Sequence, residues 1–337
     1  MILEDEGKCG RWQVWGCGLA VETGNWQRRA MFAKITNAFA IWLLFGVAWA
    51  WGVPGHFTWF LPYIPAGLGL IMLGMGLTLR FEDFAGALKE PVNVLIGVVA
   101  QFVIMPLLGW AIAKGMGLPG PLAVGLILVA SCPGGTASNV ITHLGGGNVP
   151  LSVLMTTCST LVAVVMTPLL TSWLAGAYVP VPVGAMLLDM MMVVVLPVVV
   201  GLGLNQVMPK VVGRLAGAMP VMSVLFIVLI VGAIVADKKT AIAASAGSLL
   251  VSVFLLHAGG FGLGWLAARL LGRETATMRT ISIELGMQNS GLGAKLAKTH
   301  FSDPLTAVPS AISAVFHSLI GSVLAAWWRR KGRRQGE

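Results

Sequence analysis

Residues 183–207, VGAMLLDMMMVVVLPVVVGLGLNQV, carry a single charged side chain, Asp189. A run this long and this apolar can cross the hydrocarbon layer of a bilayer, which takes about 20 helical residues. Runs of the same kind recur along the 337-residue chain, at about 35–53, 59–79, 91–113, 121–145, 150–174, 183–207, 217–236, 241–268, 276–299 and 304–328. Lipid offers no partner to a free backbone N–H or C=O, so each run must bond its own backbone internally, as a helix does. The pattern predicts an all-α integral membrane protein with ten transmembrane helices.

Composition agrees: 10% of residues are charged, against roughly 25% in soluble domains. The formal charge of +9 would suit a nucleic-acid partner, but the basic residues stand at the ends of apolar runs, where they set topology instead. With both termini in the cytoplasm, seventeen of the 22 basic residues face inward. Lys114, Lys238, Lys239, Lys295 and Lys298 face outward. This asymmetry predicts an even number of spans, cytoplasmic termini and a short basic tail, WWRRKGRR, in what is expected to be a bacterial inner membrane. Residues 1–30 do not match the rest: MILEDEGK is acidic and WQVWGCGLAV is too short to span. They are expected to be a disordered extension or a start assigned upstream of Met31. The four cysteines, Cys9, Cys17, Cys132 and Cys158, form no CxxC pair and indicate neither a disulfide framework nor a zinc site.

Two of the ten runs are interrupted. In the fourth, SCPGGTASN places Pro133, Gly134 and Gly135 in mid-run, which removes a backbone donor and most of the local helix propensity. The ninth breaks at ELGMQNSG, about 153 residues later, and the prolines downstream of the breaks, Pro150 and Pro304, lie 154 apart. Five spans with a broken fourth member therefore occur twice, as residues 31–174 and 175–337. An odd number per half inserts the second half upside down, giving two inverted five-helix repeats. Matched interruptions in two halves point to a transporter binding site. Each break frees helix C-terminal carbonyls that suit a cation and N-terminal N–H groups that suit an anion.

The motifs SCPGGTASNVITHLGGGNVPLSVLMTTCSTL and ELGMQNSGLGAKLA resemble the fourth-to-fifth and ninth helix regions of the bile acid:sodium symporter family, in its ten-helix bacterial branch. The resemblance runs from about Met31 to the C-terminus. It implies a core domain of helices 3–5 and 8–10 and a panel domain of helices 1, 2, 6 and 7, with helices 4 and 9 discontinuous and crossing. It implies symport by alternating access with two Na+ ions and no organic cofactor. Carried over by motif, the first sodium site uses Ser138, Asn139, Ser152, Thr156 and Glu284. The second uses Gln101, Glu284, Leu285, Met287 and Gln288, partly through backbone carbonyls. Thr136, Asn289 and His317 match residues that meet the anionic substrate.

The residue chemistry stands beside the resemblance. Sodium is a hard ion that prefers several oxygens, as calcium and magnesium do. Ser152 and Thr156, four apart, share one helix face. A glutamate at the bilayer centre costs about 2.5–3.5 kcal/mol and needs a counterion. No lysine or arginine shares its depth in the same spans, so sodium is expected to supply the charge. His257 is read as structural, His143 as a cytoplasm-facing hydrogen-bonding residue, and Asp189 as an acid that can snorkel near the outer end of its helix. The twelve tryptophans cluster at run ends, as interfacial anchors do.

Sodium-coupled import of a small organic anion is the leading reading. A monocarboxylate of the pantoate or ketopantoate type stands ahead of a bile acid, and no obligate protein partner is expected. A related arsenite efflux family, with a cysteine on its fourth helix, is the rival that Cys132 suggests. A membrane sensor or enzyme is more distant. The loops leave no room for a soluble domain, and neither HExxH nor GxSxG occurs.

Overall fold

The computed structural model describes residues 38–80, 90–215, 217–244 and 246–335, so the expected N-terminal extension lies outside the described residues. The described chain is all helix and connector, apart from one isolated antiparallel bridge. In order come α1 (Phe39–Gly52), α2 (Gly55–Thr78), α3 (Pro91–Gly115), α4 (Gly120–Ala130), α5 (Ser138–Leu144) and α6 (Val149–Ala175). They are followed by α7 (Val183–Val207), α8 (Met219–Asp237), α9 (Ala246–Leu270), α10 (Thr275–Gly286), α11 (Ser290–His300) and α12 (Val308–Gln335). Short helices at Pro209–Leu215 and Lys239–Ala244 serve as connectors.

Among the described residues, α2, α3, α6, α7, α8, α9 and the stretch Pro304–Lys331 are long and apolar enough to cross a membrane, making this a multi-spanning membrane fold. The 11-residue α4 and the 12-residue α10 are not. At 1.5 Å per residue each covers only about 16–18 Å. The predicted fourth and ninth runs are thus two helix pairs, α4 with α5 and α10 with α11.

Helix starts follow local chemistry. Proline opens α3 and sits in the first turn of α4 and α6, where its missing N–H costs no bond. Asn148 caps α6 by accepting from Leu151 N–H at 3.0 Å. In α7 the residues before Pro197 widen into a π turn at Met191–Val195, which absorbs the lost donor without breaking the helix. Two boundaries differ from expectation. The tenth run is expected to end at about 328, before a short basic tail; α12 continues through that tail to Gln335, because lysine and arginine are good helix formers. The eighth run, predicted as one span from 241, begins as a separate short helix before α9.

Packing sorts the helices into two groups. α1, α2, α7 and α8 pack chiefly on one another, while α3 packs on α4, α6 and α9, and α9 in turn on α10 and α12. In the first group α2 and α7 meet backbone to backbone. A Cβ on Gly76 would stand 2.3 Å from Val198 O, and one on Gly201 would stand 2.6 Å from Leu73 O. Such small-residue contacts hold membrane helices together where burial of apolar surface gives little net drive. The outer surface is apolar, with Leu95, Val99, Trp173, Leu188 and Met192 exposed. The buried polar residues gather instead in the second group, around the two interruptions.

Candidate functional site

The two breaks lie side by side and run antiparallel. Gly135 N–H donates to Met287 O at 2.8 Å, and Asn289 N–H donates to Pro133 O at 2.8 Å, forming the bridge between Gly134 and Gln288. Each interruption thereby satisfies backbone groups that the other leaves open. Glycine is required here. A Cβ on Gly134 would sit 2.7 Å from Glu284 Oε2, and one on Gly135 would sit 2.9 Å from Gln288 O. No substituent larger than hydrogen fits between the broken backbone and the carboxylate.

The neighbouring carbonyls are also paired. Ser131 O accepts from Thr167 Oγ1 at 2.7 Å and Cys132 O from Gln101 Nε2 at 2.8 Å. Across the bridge, Leu285 O accepts from Gln288 Nε2 at 2.7 Å, and Gly286 O lies 2.8 Å from His257 Nδ1. Each α-helical C-terminus at a break thus finds side-chain donors in place of the missing next turn.

Glu284 is 3% exposed and points into a cluster of hydroxyls. Ser138 donates to Oε1 at 2.6 Å, Ser152 donates to the same oxygen, and Thr156 donates to Oε2 at 2.8 Å. Thr142 extends the set, its hydroxyl 3.2 Å from that of Ser152. The ion pairs among the described residues join Asp237 to Lys238 and Asp189 to Lys295 and His300; none includes Glu284. Three of the five residues expected at the first sodium site therefore converge on the carboxylate of a fourth. The fifth, Asn139, adjoins Ser138 on α5, and its Oδ1 is buried without a hydrogen-bond partner. The three hydroxyls and the carboxylate form an all-oxygen set that suits a hard cation.

The second expected set is partly joined. Gln101 and Gln288 form a reciprocal amide pair, Gln101 Nε2 to Gln288 Oε1 at 2.8 Å and Gln288 Nε2 to Gln101 Oε1 at 3.3 Å. Leu285 enters through its carbonyl. Met287 gives its carbonyl to Gly135, and its side chain packs with Ile141, Phe261 and Ile283. Of the residues matched to substrate, Thr136 is half-buried in the turn before α5, and Asn289 caps α11 by accepting from Leu292 N–H at 3.1 Å. His317 is buried on α12, edge-on to His257 with ring centroids 5.3 Å apart, and its Nδ1 has no partner.

Three features escaped the sequence reading. Asp189 does not snorkel: Lys295 donates to its Oδ2, and His300 Nε2 lies 2.8 Å from the same atom. Lys295, expected as an outward topology charge, is 3% exposed because it reaches this acid. The two opposite charges in spans were the available signal. His257, read as a structural residue, touches the α10 break directly, and its Nε2 lies 2.5 Å from Ser313 Oγ. The spacing of Ser310, Ser313 and His317, which puts all three on one face of α12, could have marked that helix as polar on its inner side. Cys132, the residue behind the arsenite alternative, is fully buried in the apolar core, and its carbonyl is held by Gln101.

Residues 65–245 match the model of the Sodium Bile acid symporter family. The chain is 46% identical over 300 residues to a Bacillus subtilis (strain 168) protein described as an uncharacterized sodium-dependent transporter, YocS; the match covers 89% of this chain and 93% of that one. It is 45% identical to two chloroplastic proteins described as probable sodium/metabolite cotransporters. These are BASS2 of Oryza sativa subsp. japonica, over 88% of this chain and 71% of that one, and BASS1 of Arabidopsis thaliana, over 90% and 76%.

Proposed function

The chain belongs to the sodium bile acid symporter family, and from that premise we propose that it is a sodium-dependent transporter that carries a small organic anion together with two sodium ions. It is a carrier rather than an enzyme. The observation that supports the coupling best is Glu284, a buried carboxylate that receives three hydroxyls and enters none of the ion pairs among the described residues. Hydroxyls orient a carboxylate without neutralising it, and a charge inside a membrane protein without a counter-charge is costly. In the same reading the partnerless Oδ1 of Asn139, the residue after Ser138 on α5, is a further ligand.

In this reading Ser138, Asn139, Ser152, Thr156 and Glu284 hold the first ion. Gln101 and Gln288 hold the second with Glu284 and the carbonyls of Leu285 and Met287. Thr136, Asn289 and His317 meet the substrate. Two sodium ions, one glutamate and a monoanion sum to zero, so the loaded site can change its exposure without carrying net charge through lipid. A small monocarboxylate of the pantoate or ketopantoate type fits this balance, and a bile acid carries the same single charge. The ten spans form two inverted repeats, and the α3–α6 and α9–α12 group moves as a core against the panel of α1, α2, α7 and α8. The membrane is a bacterial inner membrane with both chain ends in the cytoplasm.

The test is a thermal-stability screen of purified protein against a panel of monocarboxylates, with sodium or with potassium. Sodium is expected to raise Tm, and one compound to raise it further only when sodium is present. Equal responses in sodium and potassium would remove the coupling.

A further inference from the structure

We infer that His257, on α9, is a positioning residue for the sodium site, and that it does for the α10 break what Gln101 does for the α4 break; this rests on the function proposed above. The two breaks correspond residue by residue. Pro133 O and Met287 O each accept from the opposite backbone, at Asn289 N and Gly135 N. The carbonyl one residue earlier is held in both cases by a side chain from the helix before the broken pair. Cys132 O is held by Gln101 of α3, and Gly286 O by His257 of α9. Cys132 and Gly286 are 154 positions apart, and Gln101 and His257 are 156 apart.

The hydrogen-bond chemistry fixes the histidine's orientation. A peptide carbonyl only accepts, so Nδ1 carries the proton toward Gly286 O, and in the neutral ring Nε2 accepts from Ser313 Oγ. Ser313 in turn accepts from Ser290 Oγ at 3.1 Å. Ser290 starts α11 and Gly286 ends α10, so His257 and Ser313 tie both lips of the break to α9 and α12. Between or just before those lips stand Glu284, Leu285, Met287 and Gln288, four of the residues assigned to sodium. His257 touches none of the ligand atoms. It acts through the carbonyl of Gly286, whose Cα already abuts Phe261, since a Cβ there would lie 2.3 Å from the ring. The His257 ring and Phe261 thus both bear on Gly286, two residues after Glu284.

The experiment compares the parent, His257→Leu, His257→Asn and Ser313→Ala in sodium titrations of both Tm and uptake. His257→Leu is expected to raise the sodium needed for half-saturation about tenfold, the lower end of what loss of an outer-shell partner costs a metal site. Its maximal uptake at saturating sodium stays near that of the parent. His257→Asn places an amide N–H near the position of Nδ1 and is expected to stay within about twofold, because the bond to Gly286 survives. Ser313→Ala keeps that bond but frees the far side of the ring, shifting the titration in the same direction by about threefold. It serves as the test if His257→Leu does not accumulate. Titrations of His257→Leu or Ser313→Ala that superimpose on the parent overturn the inference, as does an asparagine variant as impaired as the leucine one. A parent indifferent to sodium overturns the proposed function, and this inference with it.

Discussion

At the scale of single residues, the decisive question is what neutralises Glu284. Glu284→Gln preserves shape but removes the charge and leaves one accepting oxygen, so it can serve Ser138 and Ser152 or Thr156 but not all three. The variant is expected to fold and to lose sodium-dependent stabilisation and uptake entirely; a sodium-dependent rise in Tm in the variant would take Glu284 out of the ligand set. Gly134→Ala is expected to do comparable damage for a steric reason, since the added methyl would stand 2.7 Å from Glu284 Oε2. Sodium titration of Tm should show a large loss of affinity without loss of helix content by circular dichroism. On the substrate side, Thr136→Ala and Asn289→Ala should raise the KM for the organic anion several-fold more than they raise the sodium requirement. Uptake measured at varied anion and fixed saturating sodium distinguishes the two effects. Cys132→Ala, behind the crossing and inside the core, should leave sodium-dependent uptake in place.

At the scale of helices, Asp189 joins α7 to α11 by accepting from Lys295 and His300, and Lys298 Nζ reaches Leu61 O on α2 at 2.7 Å. α11 is therefore fastened to both α2 and α7 by polar contacts at its C-terminal end. Asp189→Asn leaves Lys295 buried beside a neutral partner and is expected to destabilise the protein by about 3 kcal/mol. The double variant Asp189→Leu with Lys295→Met should recover most of the lost Tm, because a well-packed apolar pair often equals a buried ion pair. A double variant no better than the single one would show that neither charge depends on the other. These contacts also mark where sequence reading stops. Pro133, Gly134 and Gly135 announce their break, and ELGMQNSG announces the other through its loss of apolar residues. Ser152 and Thr156 advertise a shared face through their spacing. Nothing local reports that Asp189 meets a lysine 106 positions away, or that His257 meets Gly286 and Ser313. Those partners depend on how helices are rotated about their axes, which lipid-facing and core-facing apolar residues specify only weakly. The long α12 was missed for the opposite reason: charge was read as the end of a membrane run, although it does not end a helix.

At the scale of the whole molecule, α1, α2, α7 and α8 form one packed group and the remaining helices the other, with the polar crossing wholly inside the second. Ligands that bind one arrangement of these groups must each favour the other's binding by the same factor. Sodium at 100 times its Kd is expected to add about 2.7 kcal/mol of stability, and the organic anion should add its own increment only with sodium present. Sodium titrated at several anion concentrations, and the reverse, should return equal coupling factors; unequal factors would show that the two ligands report on different equilibria.

The bridge at the crossing also bears on how the chain is made. Pro133 O and Gly135 N–H find their partners at residues 287 and 289, which leave the ribosome about 150 residues later. Until then the fourth segment has two short helices and an open seam of backbone that lipid cannot satisfy. A chain stopped before residue 287 leaves those groups bare and is expected to be cleared by quality-control proteolysis, which a pulse-chase of the truncated chain would read.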